Sequence, residues 1–180
     1  MDFSRQDERR QEVIDLSACL TEVMALVRNV LPATINLVDE VKSDVGTVIG
    51  DAAQLHSVIL NMAGNAAYAM EGKVGRLTIG MARLNADAEL SRRHKALTLG
   101  QALAKITIAD TGHGMGEATL KKIFEPFFTT KPPGEGTGLG LAMVHGVVST
   151  MGGFVEAAST MGIGTTFAIY LPLTDGETAT

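Results

Sequence analysis

Asn61 and Asn65 stand one helical turn apart in DAAQLHSVILNMAGNAAYAM, residues 51–70. At about 100° per residue, Gln54, Ser57, Asn61, Asn65 and Tyr68 fall within a stripe of roughly 80°. Leu55, Val58, Ile59, Met62, Ala66, Ala69 and Met70 fall on another side. Asparagine is a mediocre helix former, and exposed helix faces usually carry Glu, Lys and Arg, so two asparagines on one line ask for a reason. One reading is an ordinary solvent-facing polar stripe. The chemical reading is a pair of amide oxygens, able to enter the octahedral shell of a Mg²⁺ ion carried by polyphosphate without adding negative charge.

Two further clusters carry chemistry. ITIADTGHGMG, residues 106–116, is a strand-like run ending at Asp110, followed by Gly112, Gly114 and Gly116. A carboxylate there can accept from an exocyclic amine, and the bare backbone after it suits close approach of a flat ligand. An Asp-initiated turn is the alternative reading of any single Asp-x-Gly. His113 lies in this turn without a second His or a Cys at ligand spacing. EPFFTTKPPGEGTGLGLAMVHG, residues 125–146, holds five glycines from Gly134 to Gly146 and runs into a helical pattern. Glycine-rich turns that open helices attract anions, because free N–H groups and the positive helix end face the ligand. The spacing matches neither the P-loop signature nor a dinucleotide fingerprint.

The elements that must position these groups follow from patterning. EVIDL is a strand, and Ser17 is placed to cap a helix reaching Val30, stopped by Pro32. TINLVDEV and VGTVIG are strands, and Asp51 caps the asparagine helix. RLTIGMARL and ALAKITIAD are strands joined by a long excursion, NADAELSRRHKALTLGQ, whose RRHK cluster reads as a solvated face. A short helix around EATLKKIF, a third long helix over LGLAMVHGVVSTM, and closing strands FVEAAS and TTFAIYLP complete the chain. Helices first and last, with strands in hairpin pairs, predict helices layered on one face of a mostly antiparallel sheet.

Composition bounds the rest. At 180 residues, 46% hydrophobic and 19% charged, the chain suits one globular domain. A net charge of −5 argues against nucleic acid as the main partner. No apolar run approaches the roughly eighteen residues of a membrane span, so no direct membrane contact is expected. The single cysteine, Cys19, is compatible with the cytoplasm.

In order, N-M-A-G-N-A (61–66), D-T-G-H-G-M-G (110–116), F-E-P-F-F-T-T-K (124–131), G-T-G-L-G-L (136–141) and G-I-G-T-T-F (162–167) resemble the motif boxes of the catalytic, ATP-binding domain of sensor histidine kinases. The resemblance covers about residues 12–172. It implies an α+β fold, the two-layer α/β sandwich of Bergerat type, with a mixed, mostly antiparallel sheet and three main helices on one face. That architecture is shared with type II topoisomerases, mismatch-repair ATPases and a chaperone family. It implies Asn65 as the Mg²⁺ ligand, Asn61 beside the phosphates, and Asp110 as the adenine-recognising carboxylate, with Gly112, Gly114 and Met115 shaping the base pocket. Thr165 matches a hydroxyl that reaches the same base. Residues 125–137 match a lid over the nucleotide, its ends anchored by burial of Phe124, Phe127 and Phe128, with Lys131 placed to meet phosphate. Thr137, Gly138, Leu139, Gly140 and Leu141 would form the phosphate-binding start of the third helix.

In this superfamily the ATPases place a glutamate one turn before the metal-binding asparagine. Here that position is Asn61, and an amide cannot serve as a general base near neutral pH. Histidine phosphorylation needs less, since an imidazole nitrogen is itself a nucleophile. None of His56, His94, His113 and His145 begins an H-[ED]-x-x-x-P acceptor motif. The expected organisation is therefore a linker over 1–11 from a missing dimerisation and acceptor-helix region, the catalytic domain over 12–172, and a loose tail over 173–180. The expected partners are ATP and ADP, the acceptor-histidine dimerisation domain, and a response regulator receiver domain. A stand-alone ATPase or serine kinase of the same fold, and a degenerate nucleotide-binding docking module, are the alternatives.

Overall fold

The computed structural model describes residues 10–174. Its first strand, β1 (Glu12–Asp15), leads directly into helix α1 (Leu16–Val30). The helix begins earlier than Ser17 because Asp15 is its cap, accepting from the Ala18 N–H at 3.2 Å, which lets Leu16 bury completely. Ser17 lies within the first turn, its hydroxyl donating to the Lys42 carbonyl at 3.3 Å. Strands β2 (Ile35–Val41) and β3 (Thr47–Gly50) follow. Helix α2 (Ala52–Ala69) carries the asparagines and is capped by Asp51, which accepts from Ala53 and Gln54.

Strand β4 (Gly75–Asn85), helix α3 (Ala88–Arg93) and strand β5 (Ala102–Asp110) form the long hairpin. After α4 (Glu117–Leu120), residues 121–139 carry no helix or strand, and α5 (Gly140–Thr150) follows. Strands β6 (Phe154–Thr160) and β7 (Gly164–Pro172) close the chain. The main sheet has the order β2-β4-β5-β7-β6, parallel only between β2 and β4, while β1 and β3 form a separate antiparallel ribbon. The parallel pair is the one whose connection passes through α2.

Helices α1, α2 and α5 lie side by side on one face. Leu20, Val23 and Val27 of α1, Leu55, Ile59 and Met62 of α2, and Val144 and Val148 of α5 pack with Ile79, Ile106 and Ile169 of the sheet. The α/β sandwich implied by the motif boxes is the one observed. Beyond it, the opposite face of the sheet has its own small cover. Leu103 and Tyr170 alternate with the core residues Ala104 and Ile169, so they point the other way, where they meet Leu90 of α3.

The RRHK cluster differs from its sequence reading. Lys95 and Arg92 are exposed, but the His94 ring stacks on Phe154 with centroids 3.5 Å apart, and Phe154 stacks on Tyr170 at 4.6 Å. Arg93 and His94 both reach Glu156, at 3.3 and 2.9 Å. Only after the hairpin folds back over β6 do these partners meet. The linker expected at 1–11 falls mostly on residues outside those described, as does the tail from 175 onward. Leu173 and Thr174, placed in the tail by sequence, are tied to Ala102 and Thr47 by backbone bonds of 3.0 and 2.9 Å.

Candidate nucleotide-binding site

A cleft of about 320 Å³ opens between α2, the end of β5, the start of α5 and the loop that precedes it. Its lining includes the polar groups of α2 and of the β5 end, together with the apolar side chains of Ala66, Ala69, Leu141 and Phe167.

At one end α2 presents Asn61, Asn65 and Tyr68. The Asn65 amide donates to Asn61 Oδ1 at 3.4 Å, which leaves the Asn65 oxygen available to a ligand. Gln54 and Ser57, on the same stripe, do not line the cleft; the Ser57 hydroxyl bonds back to the Ala53 carbonyl at 3.0 Å. The start of α5 sits against Asn61. A Cβ added at Gly140 would come 2.7 Å from the Asn61 carboxamide. No side chain caps α5, so its first N–H groups stay open to an anion.

The loop above this end is drawn together at its neck. Phe127 N–H donates to the Gly138 carbonyl at 2.8 Å, and Gly138, at φ 68°, lies where any Cβ would strike the Phe127 backbone. Phe124 and Phe128 pack partly buried against the core, as the lid reading required. Phe127 does not. It has φ 67° and is 76% exposed, so its backbone, not its ring, closes the neck of the loop. Within the loop, the Lys131 ammonium lies 4.5 Å above the Tyr68 ring, and the Lys131 N–H donates to Thr129 Oγ1 at 3.1 Å. Among the described residues, Lys131 is the one Lys or Arg lining the cleft.

At the other end Asp110 Oδ1 accepts from Gly112 N–H at 2.8 Å and from Thr165 N–H at 3.3 Å. Burial pushes its pKa up, against the opposing pull of those two hydrogen bonds and of nearby His113. Gly112 and Gly114 stand behind the cleft wall. A Cβ at Gly112 would come 2.6 Å from that of Ala69, and Gly114, at φ 68°, is pressed against the Thr160 carbonyl. Met115 and Thr165 line the cleft, joined through Ser159, whose hydroxyl touches the Met115 N–H and the Thr165 hydroxyl at 2.7 and 2.8 Å.

The structure thus brings Asn61, Asn65, Asp110, Met115, Lys131, Thr137, Gly138, Gly140, Leu141 and Thr165 to one cleft. Gly112, Gly114 and Leu139 support it without lining it; Leu139 is the N-cap residue of α5, 43% exposed. Ser159 was missed by sequence reading, because only the β6–β7 register sets it beside Thr165. Tyr68 was noted in the polar stripe, but its ring gained a partner only through the loop. His145 is exposed on α5, its ring 5.8 Å from that of Phe124. Among the described residues no three His, Cys, Asp or Glu side chains gather as a metal site. Such a cleft suits a cation brought by a phosphate ligand, with Asn65 as a neutral oxygen donor.

Residues 50–175 match the family described as histidine kinase-, DNA gyrase B-, and HSP90-like ATPases, and the chain belongs to that family. Its relatives place it among the catalytic domains of sensor histidine kinases. It is 39% identical to the sensor kinase CckA of Brucella abortus (strain 2308) over 94% of its length, covering 18% of that protein. It is 30% identical to the sensor histidine kinase ZraS of Klebsiella oxytoca over 96% of its length, covering 34% of that protein. Among solved structures, the mycobacterial sensor histidine kinase MprB superposes with TM-score 0.69 at 26% identity, over 90% of this chain and 97% of that one. Full-length ShkA, solved in complex with AMPPNP, gives TM-score 0.70 at 27% identity, over 92% of this chain and 32% of that one. The chain spans from under a fifth to about a third of the two curated relatives.

Proposed function

We propose that this chain binds Mg-ATP in the cleft and hands the γ-phosphoryl group to a histidine on a separate dimerisation domain, for relay to a response regulator. The observation that carries the reading is the convergence of three independent features on one cleft: the asparagine pair of α2, the Asp110 carboxylate, and the uncapped start of α5. The AMPPNP bound by ShkA supports a nucleotide ligand.

Asp110 and Thr165 take the adenine edge, with Met115 and Leu141 against the ring. The Gly138 N–H and those of the first turn of α5, from Gly140 on, hold phosphate oxygens, while the Leu139 N–H donates to Thr137 Oγ1 at 3.3 Å. Asn65 would contribute a neutral oxygen to the metal shell, and Asn61 orients the Asn65 amide. Mg²⁺, when bound, supplies charge neutralisation to the triphosphate. Lys131 swings from the Tyr68 ring onto the γ-phosphate, balancing charge as the bond to the β-phosphate oxygen breaks and a P–N bond forms. The acceptor nitrogen is its own nucleophile, so Asn61 is not asked to act as a base. Hydrolysis lacks that base, which sets the kinase reading above the ATPase one.

The test is a calorimetric titration with Mg-ATP, followed by incubation of the chain and γ-labelled ATP with a histidine-bearing dimerisation domain from a sensor kinase relative. Saturable binding, a flat baseline and acid-labile label on the added domain are expected. Sustained ADP release without it would instead make the chain an ATPase, and absence of nucleotide binding would leave only a docking module.

A further inference from the structure

Ser159 is paired with Thr165 across the β6–β7 ladder, at the base end of the cleft. Its hydroxyl has one proton and two lone pairs. Three groups claim them: the Met115 N–H at 2.7 Å, the Gly164 carbonyl at 3.1 Å and the Thr165 hydroxyl at 2.8 Å. An N–H only donates, so Met115 takes one lone pair. A carbonyl only accepts, so Gly164 takes the proton. The contact with Thr165 then closes in one way, with Thr165 donating into the remaining lone pair. The reverse arrangement would take the Ser159 proton away from the Gly164 carbonyl, and both Gly164 and Thr165 are buried, where a lost partner is costly.

This fixes what Thr165 shows to a ligand. Its proton is spent inward, and its free lone pair faces the cleft. Asp110 spends Oδ1 on two backbone N–H groups, which leaves its second oxygen, also an acceptor. Asp110 and Thr165 therefore both face the ligand as acceptors. Adenine brings an exocyclic amine with two hydrogens to position 6; hypoxanthine and guanine put a carbonyl oxygen there, whose lone pairs oppose those of Asp110 and Thr165, and their N1–H does not relieve that contact.

We propose that Ser159 is the specificity-determining residue of this site, holding the Thr165 hydroxyl as an acceptor so that a 6-amino purine is taken and a 6-oxo purine refused. The proposal rests on the nucleotide reading above. It is tested with ATP and inosine triphosphate, which differ at this edge alone. The parent favours ATP. Ser159→Ala frees the Thr165 proton to turn outward, and the ATP-to-ITP affinity ratio falls about tenfold, whereas Ser159→Thr, which keeps a hydroxyl, retains most of it. Thr165→Val, with Ser159 intact, narrows the ratio as well and serves if the alanine variant does not fold. Equal weakening of both nucleotides in Ser159→Ala would make the serine a purely structural brace and overturn the proposal. So would an unchanged ratio in Thr165→Val. A parent that binds neither nucleotide would instead remove the reading on which the proposal stands.

Discussion

Asp110 ends β5 half-buried, with Oδ1 holding the Gly112 and Thr165 N–H groups and burial raising its pKa. A carboxyl whose pKa is raised by folding adds stability in its protonated form, below the unfolded value. That contribution is lost as pH rises through the folded value, so at pH 7 the ionised group opposes folding. The proposed ligand needs the same group ionised. Asp110→Asn keeps an oxygen for both N–H groups while removing the charge. It is expected to match or exceed the parent in Tm at pH 7 and to lose ATP binding, a pairing that calorimetric melting and titration read together. ATP affinity in the parent is likewise expected to fall on acidification at a higher pH than an exposed aspartate would give. The resemblance named Asp110 from its place before three glycines. Its burial, and the Ser159 network behind Thr165, came from β7 and β6, more than forty residues further along the chain.

The start of α5 and the loop before it act as one element. Alanine is favoured over glycine in helices by up to about 1 kcal/mol, so Gly140→Ala is not expected to harm folding. Its methyl group, however, would arrive 2.7 Å from the tip of Asn61, a side chain free to move only by leaving its place in the cleft. The expected outcome is an unchanged or higher Tm with ATP affinity reduced about tenfold, by the loss of one or two well-placed contacts. The loop itself is latched by Lys131 on Tyr68. Cation–π contacts of this kind are worth about 0.5–1 kcal/mol. Tyr68→Ala is therefore expected to change ATP dissociation two- to fivefold in stopped-flow displacement, with Tyr68→Phe near the parent. An alanine variant indistinguishable from the parent would deny the latch. The motif boxes marked residues 125–137 as a loop anchored by burial of Phe124, Phe127 and Phe128; the structure buries part of Phe124 and Phe128 but not Phe127. Apolar residue type suggested burial; the backbone bond to Gly138 with positive φ at Phe127 turned the ring outward.

Across the whole molecule the sheet separates two jobs. One face carries the helices and the cleft. The other carries α3 and the stacked rings of His94, Phe154 and Tyr170. Phe154→Ala removes the middle ring of that stack, and a loss of about 2 kcal/mol is expected from a half-buried phenylalanine, below the range for a fully buried one. Urea denaturation would measure it, and ATP affinity at the opposite face should hold. Cys19 reports on the integrity of the helical layer. It is 5% exposed, and burial, with smaller contributions from Glu22 and Glu12, pushes its pKa up to about 11. A thiol reagent at pH 8 is expected to react only on unfolding, so early labelling of the native protein would contradict this packing.

The sequence by itself determined the elements and the chemistry they could carry. Helix periodicity put Asn61, Asn65 and Tyr68 on one line, alternation marked β2, β-branched residues marked β4 and β5, and the glycine-rich run marked the start of α5. These are local signals, set by the 3.6- and two-residue repeats and by the backbone freedom of glycine. Tertiary structure alone decided which groups meet. It chose Asp15 over Ser17 as the cap by burying Leu16, paired His94 and Arg93 with Glu156, set Lys131 on Tyr68, and brought the Ser159 and Thr165 hydroxyls together. Each of those choices depends on contacts between segments distant in the chain, where burial and hydrogen-bond satisfaction outweigh local preference.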